Sequence, residues 1–231
     1  MTEERILLEL KEVTTKRGKF RLKDISFQLP KGYICGLVGK NGAGKTTLLK
    51  HIIDEKIGYY GEILLEGKHI RKNSLWAKNK IAYLTEEGSF FPEGSLQRNA
   101  RIFGAFYESF TIEEWKRAME RVELPMDKLY GRLSRGEKIK FHLAFAMAYR
   151  PCLYLCDEVT AGMDPVFRVD YFRLLHELIN TEEASVLMTS HLMEEMEQKT
   201  DYLGYLEKGR LTSFGESIQL AKGEKAWKRN V

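Results

Sequence analysis

Long apolar runs are missing from this chain. Its uninterrupted apolar stretches are short, as in Ile81-Ala82-Tyr83-Leu84, whereas a membrane-spanning helix needs ~20 mostly apolar residues. The chain is therefore not expected to cross a bilayer by itself. A secretory leader is not expected either, because Met1-Thr2-Glu3-Glu4-Arg5 carries acids and no apolar segment of leader type follows; the reading is a cytosolic protein. Cysteine is scarce and odd in number: Cys35, Cys152 and Cys156 sit in strand-like apolar segments, which argues for reduced, buried thiols over a disulfide framework or a zinc site. Charge of one sign is not in excess, since 37 Lys+Arg against 33 Asp+Glu leaves a net +4. No basic stripe with interleaved aromatics is present, which argues against nucleic acid as a partner. Internal repeats and low-complexity tracts are also absent. What remains is an ordinary globular composition, 43% hydrophobic and 30% charged over 231 residues, enough for one large domain or one domain with a small subdomain.

The pattern alternates strands with helices. Strands are expected at Ile6 to Val13, Asp24 to Leu29 and Tyr33 to Val38, separated by Arg17-Gly18-Lys19 and Pro30-Lys31-Gly32, and then at Glu62 to Leu65 and Lys80 to Leu84. From Phe91 to Arg132 the spacing becomes helical, clearest in Ile112, Trp115, Met119 and Val122 behind a capping box of Thr111 and Glu114. A second capping box, Ser134 with Glu137, opens a helix carrying Ile139, Leu143, Ala146 and Met147. Strand Cys152 to Cys156 follows, then a helix from Asp164-Pro165 through Ile179, with Asp as N-cap and Pro at the first helical position. Ser185 to Thr189 reads as a strand, His191 to Gln198 as a helix, and Tyr202 to Leu206 with Leu211 to Phe214 as a hairpin around Lys208-Gly209. The tail, Lys222 to Val231, reads as a solvated basic end. Such alternation predicts an α/β fold around a largely parallel sheet.

Gly39-Lys40-Asn41-Gly42-Ala43-Gly44-Lys45-Thr46 matches G-x-x-x-x-G-K-[ST] between a strand and the helix Thr46 to Ile53, with Thr47 next in line. Glycines let successive backbone N–H groups converge, and the helix N-terminus adds positive potential. Lys45 then reaches the β/γ-phosphates and the Thr46 hydroxyl ligates Mg²⁺. Leu153-Tyr154-Leu155-Cys156 delivers Asp157 and Glu158 to a strand's C-terminal edge, where ligands bind in open α/β sheets. Asp157 is the expected holder of Mg²⁺ and Glu158 the expected general base for an attacking water.

With those motifs in place the chain resembles the nucleotide-binding subunits of ATP-binding-cassette (ABC) transporters, over nearly its whole length. Leu133-Ser134-Arg135-Gly136-Glu137-Lys138 stands where that family has its LSGGQ signature. Ser134 and Gly136 match, Arg135 and Glu137 depart. Ala161-Gly162-Met163-Asp164 occupies the loop that crosses the family's dimer interface, and His191 matches its γ-phosphate histidine, whereas His51, His69, His142 and His176 read as surface or capping residues. The resemblance implies a P-loop NTPase fold in a single ABC domain over 1–231. Residues 1–90 and 151–231 form the nucleotide-binding core, with N-terminal antiparallel strands, and 91–150 form a helical subdomain that includes the signature helix. It implies an ATPase using ATP and Mg²⁺, working as a homodimer or as a heterodimer with another nucleotide-binding subunit. Two copies would enclose ATP between Lys45 of one and Ser134 of the other. A separate transmembrane permease is implied, with this chain peripheral at the cytoplasmic face of the membrane.

Two departures alter the expected site. Glu86, in Thr85-Glu86-Glu87, falls where the family has a glutamine, and is a candidate metal ligand or a solvated acid. No aromatic stands near Arg17 to stack on adenine except Phe20, so either Arg17 or Phe20 meets the base. The groove near Glu86 to Leu96 is the expected permease contact, although Phe90, Phe91 and Pro92 could equally belong to the helical segment's own core. The acidic pair, the signature variant and the short C-terminus look most like small subunits serving exporters of drugs, peptides or lipids. The competing reading is an ABC-type ATPase uncoupled from transport.

Overall fold

The computed structural model describes residues 5–18, 20–54, 56–86, 90–182 and 184–221. The expectations for Glu87 and for the tail from Lys222 to Val231 lie outside them. In chain order, β1 (Ile6–Thr15) and β2 (Ile25–Pro30) precede β3 (Ile34–Val38), which leads into α1 (Lys45–Ile53). Then come β4 (Tyr59–Leu65), β5 (Lys68–His69), α2 (Ser74–Lys80) and β6 (Ile81–Leu84). The helical stretch is α3 (Leu96–Gly104), α4 (Ile112–Arg121), a 3₁₀ turn at Tyr130–Arg132 and α5 (Arg135–Met147). The chain returns through β7 (Leu153–Asp157), α6 (Pro165–Glu182), β8 (Ser185–Ser190), α7 (Met193–Lys199), β9 (Tyr202–Glu207), β10 (Arg210–Glu216) and α8 (Ser217–Ala221).

Two sheets form. An antiparallel one runs β2-β1-β4-β5, and a larger one runs β10-β9-β3-β8-β7-β6, parallel except for the β9–β10 hairpin. β3 and β8 are buried at every residue, because strands covered on both faces cannot alternate apolar with polar. Successive side chains go to opposite faces. Tyr154, Cys156, Val186 and Met188 therefore join one core with α3 to α6, while Leu153, Leu155 and Leu187 join a second one with α1 and the antiparallel sheet. The three thiols are free; Cys35 and Cys156 are buried and Cys152 half-buried.

Several elements differ from expectation for local reasons. Thr111 Oγ1 accepts the Glu114 N–H at 3.2 Å, but the Glu114 carboxylate turns to Arg117 and Arg150 at 2.9 and 3.2 Å, so that capping box is half made. The box at Ser134 and Glu137 is complete. Asp164 Oδ1 caps α6 through the N–H groups of Val166 and Phe167, at 2.8 and 3.1 Å. Helix α7 starts at Met193 and not at His191, since Ser190 Oγ accepts the Leu192 N–H at 3.0 Å and makes a turn there. The short helices α2 and α8 carry too few periodic apolar residues to be read from spacing.

Candidate nucleotide site

The chain leaves β3 through the glycine-rich loop. At Gly39 a Cβ would lie 2.3 Å from the Leu206 carbonyl, so only glycine lets the loop pass the end of β9. Gly44 caps α1 with φ 110°, a conformation that L side chains rarely adopt. Lys45, at the helix start, folds back over the loop: its Nζ donates to the Gly39 carbonyl at 2.7 Å and to the Lys40 carbonyl at 3.4 Å. The same ammonium pairs with Glu158 Oε1 at 3.1 Å, and its side chain is only 3% exposed. A buried cation at a helix N-terminus, held on carbonyls and one carboxylate, is a receptor for an anion of higher charge.

Asp157 closes β7 and gathers three hydroxyls. Its Oδ1 accepts from Thr46 Oγ1 at 3.0 Å and from Thr189 Oγ1 at 2.8 Å, and its Oδ2 accepts from Tyr83 at 2.8 Å. Register explains the set: Asp157 lies beside Thr189 across β7–β8, and Tyr83 lies on β6, the other neighbour. Tyr83 and Thr189 escaped the sequence reading. A polar residue ending the run Val186-Leu187-Met188 was the available signal for Thr189, and its partner is visible only once the strands are paired.

Glu158 has φ 50°, uncommon for a residue with a side chain. Such a conformation costs on the order of 1–3 kcal/mol and concentrates at functional sites. Its N–H donates to Thr189 Oγ1 at 3.0 Å, which fixes the turn. Its carboxylate is thereby aimed at Lys45 on one side and at His191 Nδ1, 4.0 Å away, on the other. The structure thus brings together Lys45, Thr46, Asp157, Glu158 and His191.

Other expected residues go elsewhere. Glu86 does not join Thr46 and Asp157: its Oε2 is paired with Arg135 at 2.9 Å, because the arginine in the signature offers it a direct counter-charge. Among the described residues no group of three or more His, Cys, Asp and Glu gathers as a metal cage. Ser134 and Gly136 stand at the start of α5, in contact with Glu137 and with the Phe167 ring. Lys128, bonded to Glu137 at 2.7 Å, holds that carboxyl below its usual range, with the Ser134 bonds adding to the effect against burial. Phe20 is half-buried with its ring against Gly44, whereas Arg17 is exposed. Phe90 packs on Phe103, Phe141 and Phe145 within the helical part's own core, while Phe91 is exposed.

His142, expected to be a surface or capping residue, is buried. A carbonyl can only accept, so His142 Nδ1–H donates to the Thr85 carbonyl at 3.0 Å, which leaves Nε2 to accept from the Tyr130 hydroxyl at 2.8 Å. Burial lowers its pKa to about 4, so the ring is neutral. His51 is likewise buried: Nδ1–H donates to the Thr47 carbonyl at 2.7 Å and Nε2 accepts from Thr15 at 3.0 Å. It anchors α1 behind the phosphate loop.

Loop, lysine, hydroxyl and strand-end carboxylate define a P-loop nucleoside-triphosphatase. The family model "ABC transporter" matches residues 22–161. ABC transporter ATP-binding protein YtrB of Bacillus subtilis is 34% identical over 208 residues, covering 90% of this chain and 71% of that protein. Linearmycin resistance ATP-binding protein LnrL of the same organism is 32% identical over 221 residues, 93% of this chain and 70% of that one. A solved ATP-binding subunit of an ABC transporter superposes with TM-score 0.82 at 25% identity, covering 96% of this chain and 95% of its own. The chain belongs to the ABC transporter family. It is an ATP-binding, ATP-hydrolysing subunit that drives a membrane transporter, and the reading of an ATPase uncoupled from transport is set aside. No helix among the described residues is long and apolar enough to cross a membrane.

Proposed function

We propose that two such subunits, as a homodimer or a heterodimer, close head to tail on two ATP molecules at the cytoplasmic face of the cell membrane and drive a separate permease that exports a drug, peptide or lipid. The relatives named for linearmycin resistance and bacitracin transport support the export reading. Each ATP meets Gly39 to Thr47 and Asp157, Glu158 and His191 of one chain, and Ser134 and Gly136 of the other. Arg17, the exposed one of the two candidates, meets the adenine. Residues 1–90 and 151–231 act as the nucleotide-binding core and 91–150 as the helical subdomain. Between them, a cavity of about 710 Å³ lined by Arg71, Phe103, Phe106, Tyr107, Phe145 and Tyr149 is the permease contact. Phe106, 76% exposed, is its apolar lip.

The observation that carries this reading is the position of Glu158, at 3.1 Å from the phosphate-loop lysine. When the γ-phosphate takes over the Lys45 charge, that carboxylate is released. It then accepts a proton from water as the water oxygen bonds to the γ-phosphorus and the bond to the bridging β–γ oxygen breaks. His191, on the far side of Glu158, orients it and the γ-phosphate. Thr46 and Asp157 supply hard oxygen donors 3.0 Å apart, which suits a Mg²⁺ that keeps most of its waters. Bound there, Mg²⁺ would neutralise charge on the phosphates. Glu158→Gln should lower turnover by ~10²–10⁴ with ATP affinity retained; hydrolysis at the wild-type rate would remove Glu158 as base. Lys45→Ala should abolish ATP binding by calorimetry.

A further inference from the structure

Two of the departures from the family pattern, Glu86 and Arg135, meet each other. Arg135 is the first residue of α5, directly after the capping Ser134, and its Nη2 lies 2.9 Å from Glu86 Oε2. The guanidinium has a second neighbour. A Cβ built on Gly162 would lie 2.8 Å from Arg135 Nη1, so the arginine rests on the backbone of the loop that starts at Glu158. Gly162 has φ 69°, so glycine suits the position on both counts. One side chain therefore spans three segments: the helix start, the stretch after β6, and the loop that carries the base.

The same stretch is gripped again two turns along α5. Arg135 and His142 are seven residues apart and share a helix face, and His142 donates to the Thr85 carbonyl at 3.0 Å. Thr85 and Glu86 are thus tied to α5 at adjacent points, one neutral and part-buried, one charged and half-exposed. From its other side the Glu158 loop is held by Arg168, whose Nη2 donates to the Met163 carbonyl at 3.1 Å, and by Thr160, whose hydroxyl donates to Glu195 at 3.1 Å. Arg135 is the support facing the helical part.

We propose that Arg135 is a positioning residue for hydrolysis, which holds the Glu158 loop and the Thr85–Glu86 stretch in register with α5, and that Glu86 serves to hold Arg135 and does not ligate the metal. This rests on the reading of Glu158 as base. An exposed ion pair contributes little to stability, so the pair acts on geometry. A loop displaced by ~1 Å loses turnover much more than it loses binding.

The test is steady-state ATPase kinetics and a Mg²⁺ titration on the full chain, with thermal unfolding of each variant as a control on folding. Arg135→Gln should lower kcat roughly 5- to 20-fold while KM for ATP stays within about twofold, because Arg135 lies off the phosphate loop. Glu86→Gln should do the same with an unaltered Mg²⁺ dependence, and the double variant should be no slower than the worse single one. The reversed pair Glu86→Arg with Arg135→Glu should recover part of kcat, which a merely unfolded protein would not. A folded Arg135→Gln with wild-type kcat, two single effects that multiply, or a Mg²⁺ requirement shifted by Glu86→Gln would each overturn the inference. Glu158→Gln measured alongside separates the two levels. If it stays active, the reading of the base fails; if it is inactive while Arg135→Gln turns over normally, only the inference fails.

Discussion

Three hydroxyls converge on one carboxylate. Thr46, Tyr83 and Thr189 come from α1, β6 and β8, and together they fix both oxygens of the Asp157 carboxylate at the end of β7. Thr189 also takes the N–H of Glu158 at 3.0 Å, so a single side chain sets the orientation of both acids. His142 shows the opposite economy: a titratable ring used as a neutral peg. Its pKa is lowered to about 4 from 6.5 by burial, outweighing the Thr85 bond that raises it. The unfolded chain binds a proton at higher pH than the folded one, so stability is fully present above the unfolded value and is lost as pH falls toward the folded one. Between about pH 7 and about pH 5 the site should cost about 2 kcal/mol of unfolding free energy. His51, also lowered mainly by burial, acts in the same direction. Urea unfolding at those two pH values should show the slope shrink by that amount in His142→Gln; an unchanged slope would mean that His142 titrates normally.

At the scale of elements, α5 does two jobs at once. Its first turn presents Ser134, Arg135 and Gly136, while Phe141 to Met147 are buried in the core beneath. Ser134 and Glu137 satisfy each other's backbone donors at 3.3 and 2.9 Å, and Lys128 neutralises Glu137 at 2.7 Å. Ser134→Ala should therefore lower stability by ~1 kcal/mol in chemical unfolding, as for other lost caps. It should also weaken ATP-dependent pairing in a subunit that reads the partner's nucleotide through this turn. Loss of stability without loss of pairing would leave Ser134 a cap only. Helix α4 makes the contrast: its cap at Thr111 is one-sided because Glu114 is drawn to Arg117 and Arg150.

At the scale of the molecule, the six-stranded sheet separates two cores, and each meets the nucleotide site from its own side. α1 and the phosphate loop pack with the core between the sheets, while α5 enters the helical core from Ile139 on. A change at the phosphates has a structural route to the helical part through Glu158, Arg135 and the Thr85–Glu86 stretch. ATP should then act as a bridge between copies. Glu158→Gln with ATP and Mg²⁺ should elute at twice the monomer mass in gel filtration and return to monomer mass when the nucleotide is removed. A monomer under all conditions would end the homodimer form of the head-to-tail reading.

The phosphate loop, the strand-end acids and the caps at Ser134 and Asp164 were legible in order along the chain, because each is a local event in which spacing within about ten residues decides a turn or a helix start. Strand positions followed from apolar runs for the same reason. Contacts between distant segments were not legible. That Glu86 meets Arg135, that Thr189 and Tyr83 serve Asp157, and that His142 is buried depend on which strands lie side by side and how α5 crosses them. Linear order by itself therefore determined the chemistry available, a phosphate loop with two strand-end acids to go beside it. Only the tertiary packing decided the partner of each charge, since an ion pair or a buried hydrogen bond is a matter of distance in space.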